Sequence, residues 1–131
     1  MDSRPIILVV ENEALIGLSV QDALEEAGYD VRLMDSAILA LHELESAAEV
    51  LSALVTDIRL EDTTDGWQLA RRARELSAHL PVIYMSGDSA MDHSSQGVPQ
   101  SIMVQKPFAA AQIVTAVSTL INKLPPAPPT D

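Results

Sequence analysis

The chain alternates between short apolar runs and longer amphipathic stretches. Ile6 to Val10 is apolar without a break, as expected for a central strand that is buried on both faces. Apolar residues then recur at helical spacing from Ile16 to Ala27, and Gly28 supplies a helix stop. This alternation is typical of a parallel sheet with helices on both faces.

The second strand differs from the first because its apolar and charged residues alternate. Tyr29 to Met34 therefore predicts a strand with one face in water, at the edge of the sheet. Asp35 or Ser36 is suited to cap a helix that continues to about Ala48. The inner stripe of that helix is predicted to hold Ile38, Leu41 and Leu44.

Three further strands and two long helices follow. The strands are predicted at Ala53 to Thr56, at Val82 to Met85 after Pro81, and at Ile102 to Val104. A helix from Trp67 to Ser77 follows a polar loop that ends in an Asp65-Gly66 turn. Between Asp88 and Gln100 the pattern allows at most a short helix. A final helix is predicted after Pro107.

The order of the strands in this sheet follows from the strand types. Five strands with right-handed crossovers and a peripheral second strand favour the order 2-1-3-4-5, which is a doubly wound, flavodoxin-like α/β fold. We expect one domain over residues 1–124 and a Pro-rich, disordered tail over 125–131. Ligands of such sheets bind at the carboxyl ends of the strands, where the direction of winding reverses.

Composition narrows the possible functions. Of 131 residues, 47% are hydrophobic, which is enough for one core, and no apolar run approaches the ~20 residues that span a bilayer. The formal charge of -11 argues against direct nucleic-acid binding, which requires clustered Lys and Arg. Cys is absent and no signal-peptide pattern is present, so we expect a soluble cytoplasmic protein with no membrane partner.

Polar side chains follow four of the predicted strands. Asp57 ends the third strand, Ser86 ends the fourth, Lys106 lies just beyond the fifth, and Glu11-Asn12 follows the first. Because the carboxyl ends of parallel strands share one edge, we expect these side chains around one pocket. Asp57 is suited to accept a phosphoryl group as an acyl phosphate. Mg²⁺ on oxygen ligands, with Lys106, would balance the charge, and Ser86 would donate to a phosphoryl oxygen.

The order and spacing of these residues resemble those of a response-regulator receiver domain of two-component signalling. The resemblance covers about residues 4–124. The residues that carry it are Glu11-Asn12, Asp57, the Asp65-Gly66 turn, Ser86 and the triplet Lys106-Pro107-Phe108. None of these features is specific alone, but their order and spacing together are.

The resemblance implies a role for each residue of the pocket. Asp57 would be the phosphoacceptor, assisted by Lys106 and Ser86, and the peptide bond before Pro107 would be cis. The implied Mg²⁺ ligands are Glu11, Asn12, Asp57 and the backbone carbonyl of Arg59. The phosphoryl group would come from a histidine kinase or a histidine phosphotransfer protein. Such a domain assists its own phosphorylation and dephosphorylation and is not a conventional enzyme.

Two residues depart from the family pattern. Asn12 stands where most receivers have an Asp that ligates Mg²⁺, and the missing charge predicts Mg²⁺ binding weaker by on the order of 1 kcal/mol or more. Met103 stands three residues before Lys106, where the family commonly has a Tyr or Phe that swings inward. We expect Ser86 and Met103 to form the switch, since Met is flexible enough to change its packing.

Simpler structural interpretations remain open for several residues. Asp57 could form a turn, Ser86 could bind local backbone groups, and Asn12 could cap the first helix as well as bind metal. Trp67 is expected to pack against the sheet or to shield the rim. Ordinary solvated surface is expected for Arg71, Arg72, Arg74, His42, His79 and His93.

Two classes of function remain. The first is a stand-alone phosphoacceptor that signals to a downstream protein by contact. A homodimer could form through the last two helices and the fifth strand, on a sparsely charged surface that includes Ala109, Ala110, Val114 and Ile121. The second is a receiver-like binding module that no longer takes phosphate, as Asn12 and Met103 suggest. A haloacid-dehalogenase-like phosphatase is set aside because it needs an Asp where Arg59 stands.

Overall fold

The structure, a computed structural model, describes residues 4–61 and 63–123. The strands are β1 (Ile6–Val10), β2 (Asp30–Met34), β3 (Leu51–Asp57), β4 (Val82–Ser86) and β5 (Ser101–Gln105). The helices are α1 (Ala14–Glu26), α2 (Ala37–Ala47), α3 (Gly66–Leu76), α4 (His93–Gln96) and α5 (Ala110–Asn122). Within the described ranges, each helix is too short or too polar to cross a membrane. The predicted tail at 125–131 lies outside these ranges.

The five strands form one parallel sheet in the predicted order β2-β1-β3-β4-β5. Side chains of β1 alternate between two cores. Leu8 and Val10 pack with α2 and α3, whereas Ile7 and Val9 pack with α1 and α5. Each such side chain contributes roughly 1.5–3 kcal/mol when it is fully buried. Side chains on both faces of the sheet therefore stabilise the fold, and the ends of the strands are left for a functional site.

The register of the sheet aligns the carboxyl ends of its central strands. Val10 at the end of β1 pairs with Thr56, the residue before Asp57. Asp57 pairs with Met85, the residue before Ser86. The residues that follow β1, β3, β4 and β5 consequently reach the same edge, as the sequence predicts.

Helix α2 begins where predicted but buries a different face. Ser36 caps it, with Oγ accepting the backbone N–H of Leu39 at 3.2 Å. The buried residues of α2 are Ala37, Ala40 and Leu44. Ile38 is 65% exposed, so its assignment to the inner stripe was wrong. The alanine positions are also spaced three and four residues apart, so the spacing alone could not distinguish the two stripes.

Asp65 begins helix α3 through a reciprocal cap. Its side chain accepts the N–H of Gln68 at 2.9 Å, and Gln68 Oε1 accepts the N–H of Asp65 at 3.0 Å. The predicted Asp65-Gly66 turn is thus the first turn of the helix itself. Trp67 is buried against the sheet, with its ring centroid 4.6 Å from that of Tyr84.

Two residues that were predicted to be solvated are instead half-buried. Arg74 donates to the backbone carbonyls of Leu80, Pro99 and Gln100. His93 Nε2 lies 2.9 Å from Ser101 Oγ, and its ring stands edge-on to Tyr84. Both side chains fix the connection between β4 and β5, in which α4 has only four residues.

Candidate functional site

The edge formed by the strand carboxyl ends brings a lysine between two carboxylates. Lys106 Nζ lies 3.1 Å from Asp57 Oδ2 and 2.9 Å from Glu11 Oε1. Glu11 and Asp57 are buried, being 2% and 6% exposed, and the side chain of Lys106 is 15% exposed. Three charged residues that are far apart in sequence thus lie together at this edge of the sheet.

Backbone hydrogen bonds between neighbouring segments hold these side chains at the edge. The N–H of Lys106 donates to Ser86 O at 2.7 Å, and the N–H of Glu11 donates to Met34 O at 3.0 Å. The Lys106-Pro107 peptide bond is cis. The strands, rather than flexible loops, therefore set the position of the ammonium and of Glu11.

Burial and pairing shift the ionisation of this cluster in opposite directions. Burial raises the pKa of Glu11, while the Lys106 ammonium and the backbone N–H of Glu13 act against that rise. Burial by itself lowers the pKa of Lys106, but the carboxylates of Glu11 and Asp57 outweigh it and leave that pKa raised. Lys106 is therefore a fixed positive charge at neutral pH.

Both carboxylate oxygens of Glu11 have partners in the site. Oε2 accepts the N–H of Glu13 at 3.0 Å. Oε1 is buried and lies 2.9 Å from the Lys106 ammonium, which supplies the compensation that a buried carboxylate oxygen needs. Carboxylate oxygens are also the ligands that a hard cation such as Mg²⁺ prefers.

Asn12 lines the cleft but does not cap helix α1. The N-cap is Glu13, which makes no side-chain capping bond, so the predicted capping role of Asn12 was wrong. The cleft is lined by Asn12, Glu13, Asp57, Arg59, Glu61, Ser86, Gly87, Asp88 and Lys106. Over residues 4–61 and 63–123, no group of three or more His, Cys, Asp or Glu is placed to hold a metal. Asn12 supplies an amide oxygen and therefore does not count toward such a group.

Ser86 is buried, and its oxygen already accepts two backbone bonds. The N–H groups of Asp88 and Ser89 donate to Ser86 Oγ at 3.2 and 2.7 Å. The simpler interpretation of Ser86 as a partner for local backbone groups thus describes a real contact. Because a hydroxyl has one donor besides its acceptor lone pairs, its hydrogen remains able to donate toward the cleft.

An ion pair spans the mouth of the cleft. Arg59 Nε lies 2.7 Å from Asp88 Oδ2, joining the loop after β3 to the loop after β4. The Arg59 guanidinium is the main cause of a lowered pKa at Asp88. The side chains are 77% and 53% exposed, so solvent screens the pair and it adds little stability. The family resemblance implies only a backbone role for Arg59, so this side-chain contact was not predicted.

Tyr84 is a further residue that the sequence analysis did not single out. It pairs in register with Met103, and both side chains pack in the core that lies against α3. Its hydroxyl accepts the N–H of Val98 at 3.0 Å. An aromatic residue thus stands directly beside Met103, on the neighbouring strand. The sequence feature that could have identified Tyr84 was its position two residues before Ser86, in an apolar strand.

Sequence comparisons relate the chain to proteins of bacterial signalling. A family model described as the response regulator receiver domain matches residues 7–118. The chain is 30% identical over 117 residues to the response regulator receiver protein CpdR of Brucella abortus, covering 88% of this chain and 95% of that protein. It is 28% identical over 119 residues to the transcriptional regulatory protein CusR of Escherichia coli, covering 89% of this chain. The chain spans about half the length of CusR and of several other relatives that it matches.

Solved structures share the fold. A response regulator receiver protein from Sinorhizobium medicae superposes with a TM-score of 0.88 at 41% identity, covering 92% of this chain and 97% of that one. The receiver domain of a sensor histidine kinase from Pseudomonas aeruginosa gives a TM-score of 0.77, covering 92% of this chain and 100% of that one. That structure has a magnesium ion coordinated in its active-site cleft, but at 22% identity it supports the fold alone.

Gly66 should be required for the backbone on which Asp57 sits. An added Cβ at Gly66 would lie 2.9 Å from Ile58 Cα and closer still to the Asp57 carbonyl oxygen. We expect Gly66→Ala to lower the free energy of unfolding in urea by about 1–3 kcal/mol, since backbone atoms must move. Gly87→Ala is the matched control, because its Cβ would meet nothing closer than 4.0 Å. Equal stability of the two variants would contradict the assignment.

Proposed function

This chain belongs to the response regulator receiver family of two-component signalling, and we propose that it accepts a phosphoryl group on Asp57 from a phosphohistidine. The observation that carries the proposal is the Lys106 ammonium, 3.1 Å from Asp57 Oδ2. A fixed cation beside the acceptor offsets negative charge that develops during phosphoryl transfer. Asp57 is buried at the floor of a cleft that is open to a donor.

The transfer exchanges one phosphorus bond for another. A carboxylate oxygen of Asp57 attacks the phosphorus, and the P–N bond to the donor histidine breaks with its electron pair returning to the imidazole. The product is an acyl phosphate on Asp57. Lys106 holds positive charge beside it, and the hydroxyl hydrogen of Ser86 donates to a phosphoryl oxygen. Changes at Ser86, and packing changes at Met103 on the neighbouring strand β5, would report the modified state.

Receiver domains bind Mg²⁺ in the active site, and the residues of this cleft fit that ion. We propose that Glu11, Asn12, Asp57 and the backbone carbonyl of Arg59 hold it. The buried carboxylates of Glu11 and Asp57 support this assignment, because together they carry more negative charge than Lys106 balances and Mg²⁺ prefers oxygen ligands. When bound, the ion neutralises charge on phosphoryl oxygens. Asn12 contributes an oxygen but no charge, so we expect weak affinity.

Receiver domains interact with histidine kinases and downstream effectors, and we propose both kinds of partner here. The phosphoryl donor would be a histidine kinase or a histidine phosphotransfer protein. The downstream partner would be a protein that reads the phosphorylated state by contact. We propose the cytoplasm as the location, consistent with a chain that contains no Cys.

A homodimer is proposed through β5 and α5. Strand β5 is an edge strand, and the groove beside it is lined by uncharged residues that include Gln105, Gln112 and Thr115. Val114 and Ile121, which were expected on this surface, are half-buried against the core. The exposed part is therefore more polar than expected, though still neutral in a chain of charge -11. Neutral edges permit a second copy to approach without repulsion.

The alternative function, a receiver-like binding module that takes no phosphoryl group, is not favoured. Burying Lys106 with two carboxylates carries a desolvation cost. A module that signals by constitutive contact would have no use for that cluster. Asn12 removes the charge from one proposed Mg²⁺ ligand, but the acceptor Asp57 and the cation Lys106 are still present.

Phosphorylation is tested by mass spectrometry after incubation with a small acyl-phosphate donor and Mg²⁺. We expect one phosphoryl adduct on the chain and none on Asp57→Asn, because the amide is not a nucleophile of comparable strength. Failure of the wild-type chain to gain the adduct, or an equal adduct on the variant, would reject Asp57 as acceptor.

Mg²⁺ binding should respond to charge at position 12. Asn12→Asp is expected to tighten binding by about tenfold in calorimetric titration, equivalent to about 1.4 kcal/mol, because it adds one negative ligand. Asn122→Asp makes the same change at the exposed end of α5 and should leave the affinity unaltered. Unchanged affinity in Asn12→Asp would place the ion elsewhere.

Self-association is tested by sedimentation velocity over a range of concentrations, with and without the small phosphodonor. We expect a concentration-dependent dimer that Thr115→Glu weakens, since the new charge would face its own copy across the neutral groove. Ser46→Glu, on the exposed surface of α2, is the control. A monomer at every concentration in both states contradicts the dimer.

A further inference from the structure

A second cleft lies at the amino ends of β4 and β5, at the opposite edge of the sheet from Asp57. We call it the basal pocket. Its polar lining includes Arg74, His79, Gln100 and Lys123, and Ile102 and Leu120 form an apolar wall. It is built by the end of α3, the start of β5 and the end of α5 together.

The basal pocket concentrates positive charge in an acidic protein. Among the described residues that line it, none is acidic. The ion pairs of residues 4–61 and 63–123 engage the other basic side chains except Arg71, and neither Arg74 nor Lys123 takes part in one. Among the described residues, three cations thus have no carboxylate partner, and two of them line this one pocket, where His79 adds a third basic group.

Arg74 is held in place before any ligand arrives. Nε donates to Leu80 O at 2.7 Å, Nη1 to Pro99 O at 2.6 Å, and Nη2 to Gln100 O at 3.3 Å. A guanidinium has five N–H donors, so two remain after these three bonds. Burial lowers the pKa of Arg74, because a partly buried guanidinium loses some of its hydration. Within the described residues, no ion pair compensates this charge. An anion at this position would supply that compensation.

Structural roles explain part of this arrangement. Arg74 fastens α3 to the turn before β5, and Lys123 stands at the C-terminus of α5, where a cation is favourable. Neither role explains why the two cations and His79 line one pocket beside an apolar wall, with no acidic residue in its described lining. A ligand with an anionic head and an apolar body accounts for the whole lining.

We propose that the basal pocket binds a small phosphate monoester through Arg74 and Lys123, with its apolar group against Ile102 and Leu120. A phosphate dianion can accept from two cations at once, and arginine presents donors that match its oxygens. The ligand would join α3, β5 and α5. This site is separate from Asp57 and does not depend on phosphorylation there.

Phenyl phosphate is a suitable probe, because it combines the dianion with an apolar ring and is not an acyl phosphate. Titration without Mg²⁺ should shift the NMR signals of backbone amides at Ser101, Ile102 and Lys123, with saturation at a dissociation constant of about 1 mM or lower. Saturable shifts confined to Gly87 and Lys106 would place the anion at the carboxyl edge and overturn the proposal. Absence of saturable shifts would overturn it as well.

Variants distinguish a built pocket from general attraction to a cation. Lys123→Gln is expected to weaken phenyl phosphate binding by about fivefold to tenfold, because it removes one of two contacts to the dianion. Arg72→Gln removes a charge from the same helix as Arg74, but outside the pocket, and should change nothing. An equal loss in both variants would reject a specific site. His79→Gln changes an exposed loop residue of the pocket lining and leaves Arg74 and the fold intact. Phenyl phosphate binding to this variant should also be weaker than to the wild-type chain.

Discussion

A lysine held between two buried carboxylates is the interaction on which the functional site depends. Charges removed from water cost several kcal/mol each unless they are paired, and loss of one partner leaves the others uncompensated. Glu11, Asp57 and Lys106 sum to one negative charge when all are ionised. Under the proposed function, a phosphoryl group would add more negative charge, which favours the entry of a further cation. The neutral amide of Asn12, which lines the cleft, would then bear on metal affinity more than on the fold.

Much of this arrangement is predictable because it rests on periodicity and strand direction. The uninterrupted apolar run of β1 marks a strand covered on both faces, and the alternation in β2 marks an edge. Once the order of strands is fixed, residues that end β3, β4 and β5 must share an edge. The proximity of Asp57 to Lys106, 49 residues apart, follows from that topology without any contact information.

The features that escaped prediction depend on competition between partners that a single sequence does not rank. Ile38 and Ala37 both fit an apolar stripe, and only packing against the sheet selects the alanine. Arg74 carries a charge, but it donates to the Leu80 carbonyl before β4 and to the Pro99 and Gln100 carbonyls before β5, and these bonds hold it partly out of solvent. The Tyr84 hydroxyl finds its partner at Val98, 14 residues away across an irregular connection. Such contacts are set by loop geometry, which periodicity does not encode.

Strand β5 runs from the edge of the sheet that holds the basal pocket to the edge that holds Lys106. Ser101 begins it beside the basal pocket, and Lys106 follows its other end. At about 3.3 Å per residue its length is roughly 17 Å, beyond the Debye length of about 8 Å at physiological salt. Solvent-exposed charges that far apart are largely screened from each other. A displacement of β5 is a route by which the basal pocket could act on the proposed phosphoacceptor site, because the Lys106 N–H that follows this strand is bonded to Ser86 O.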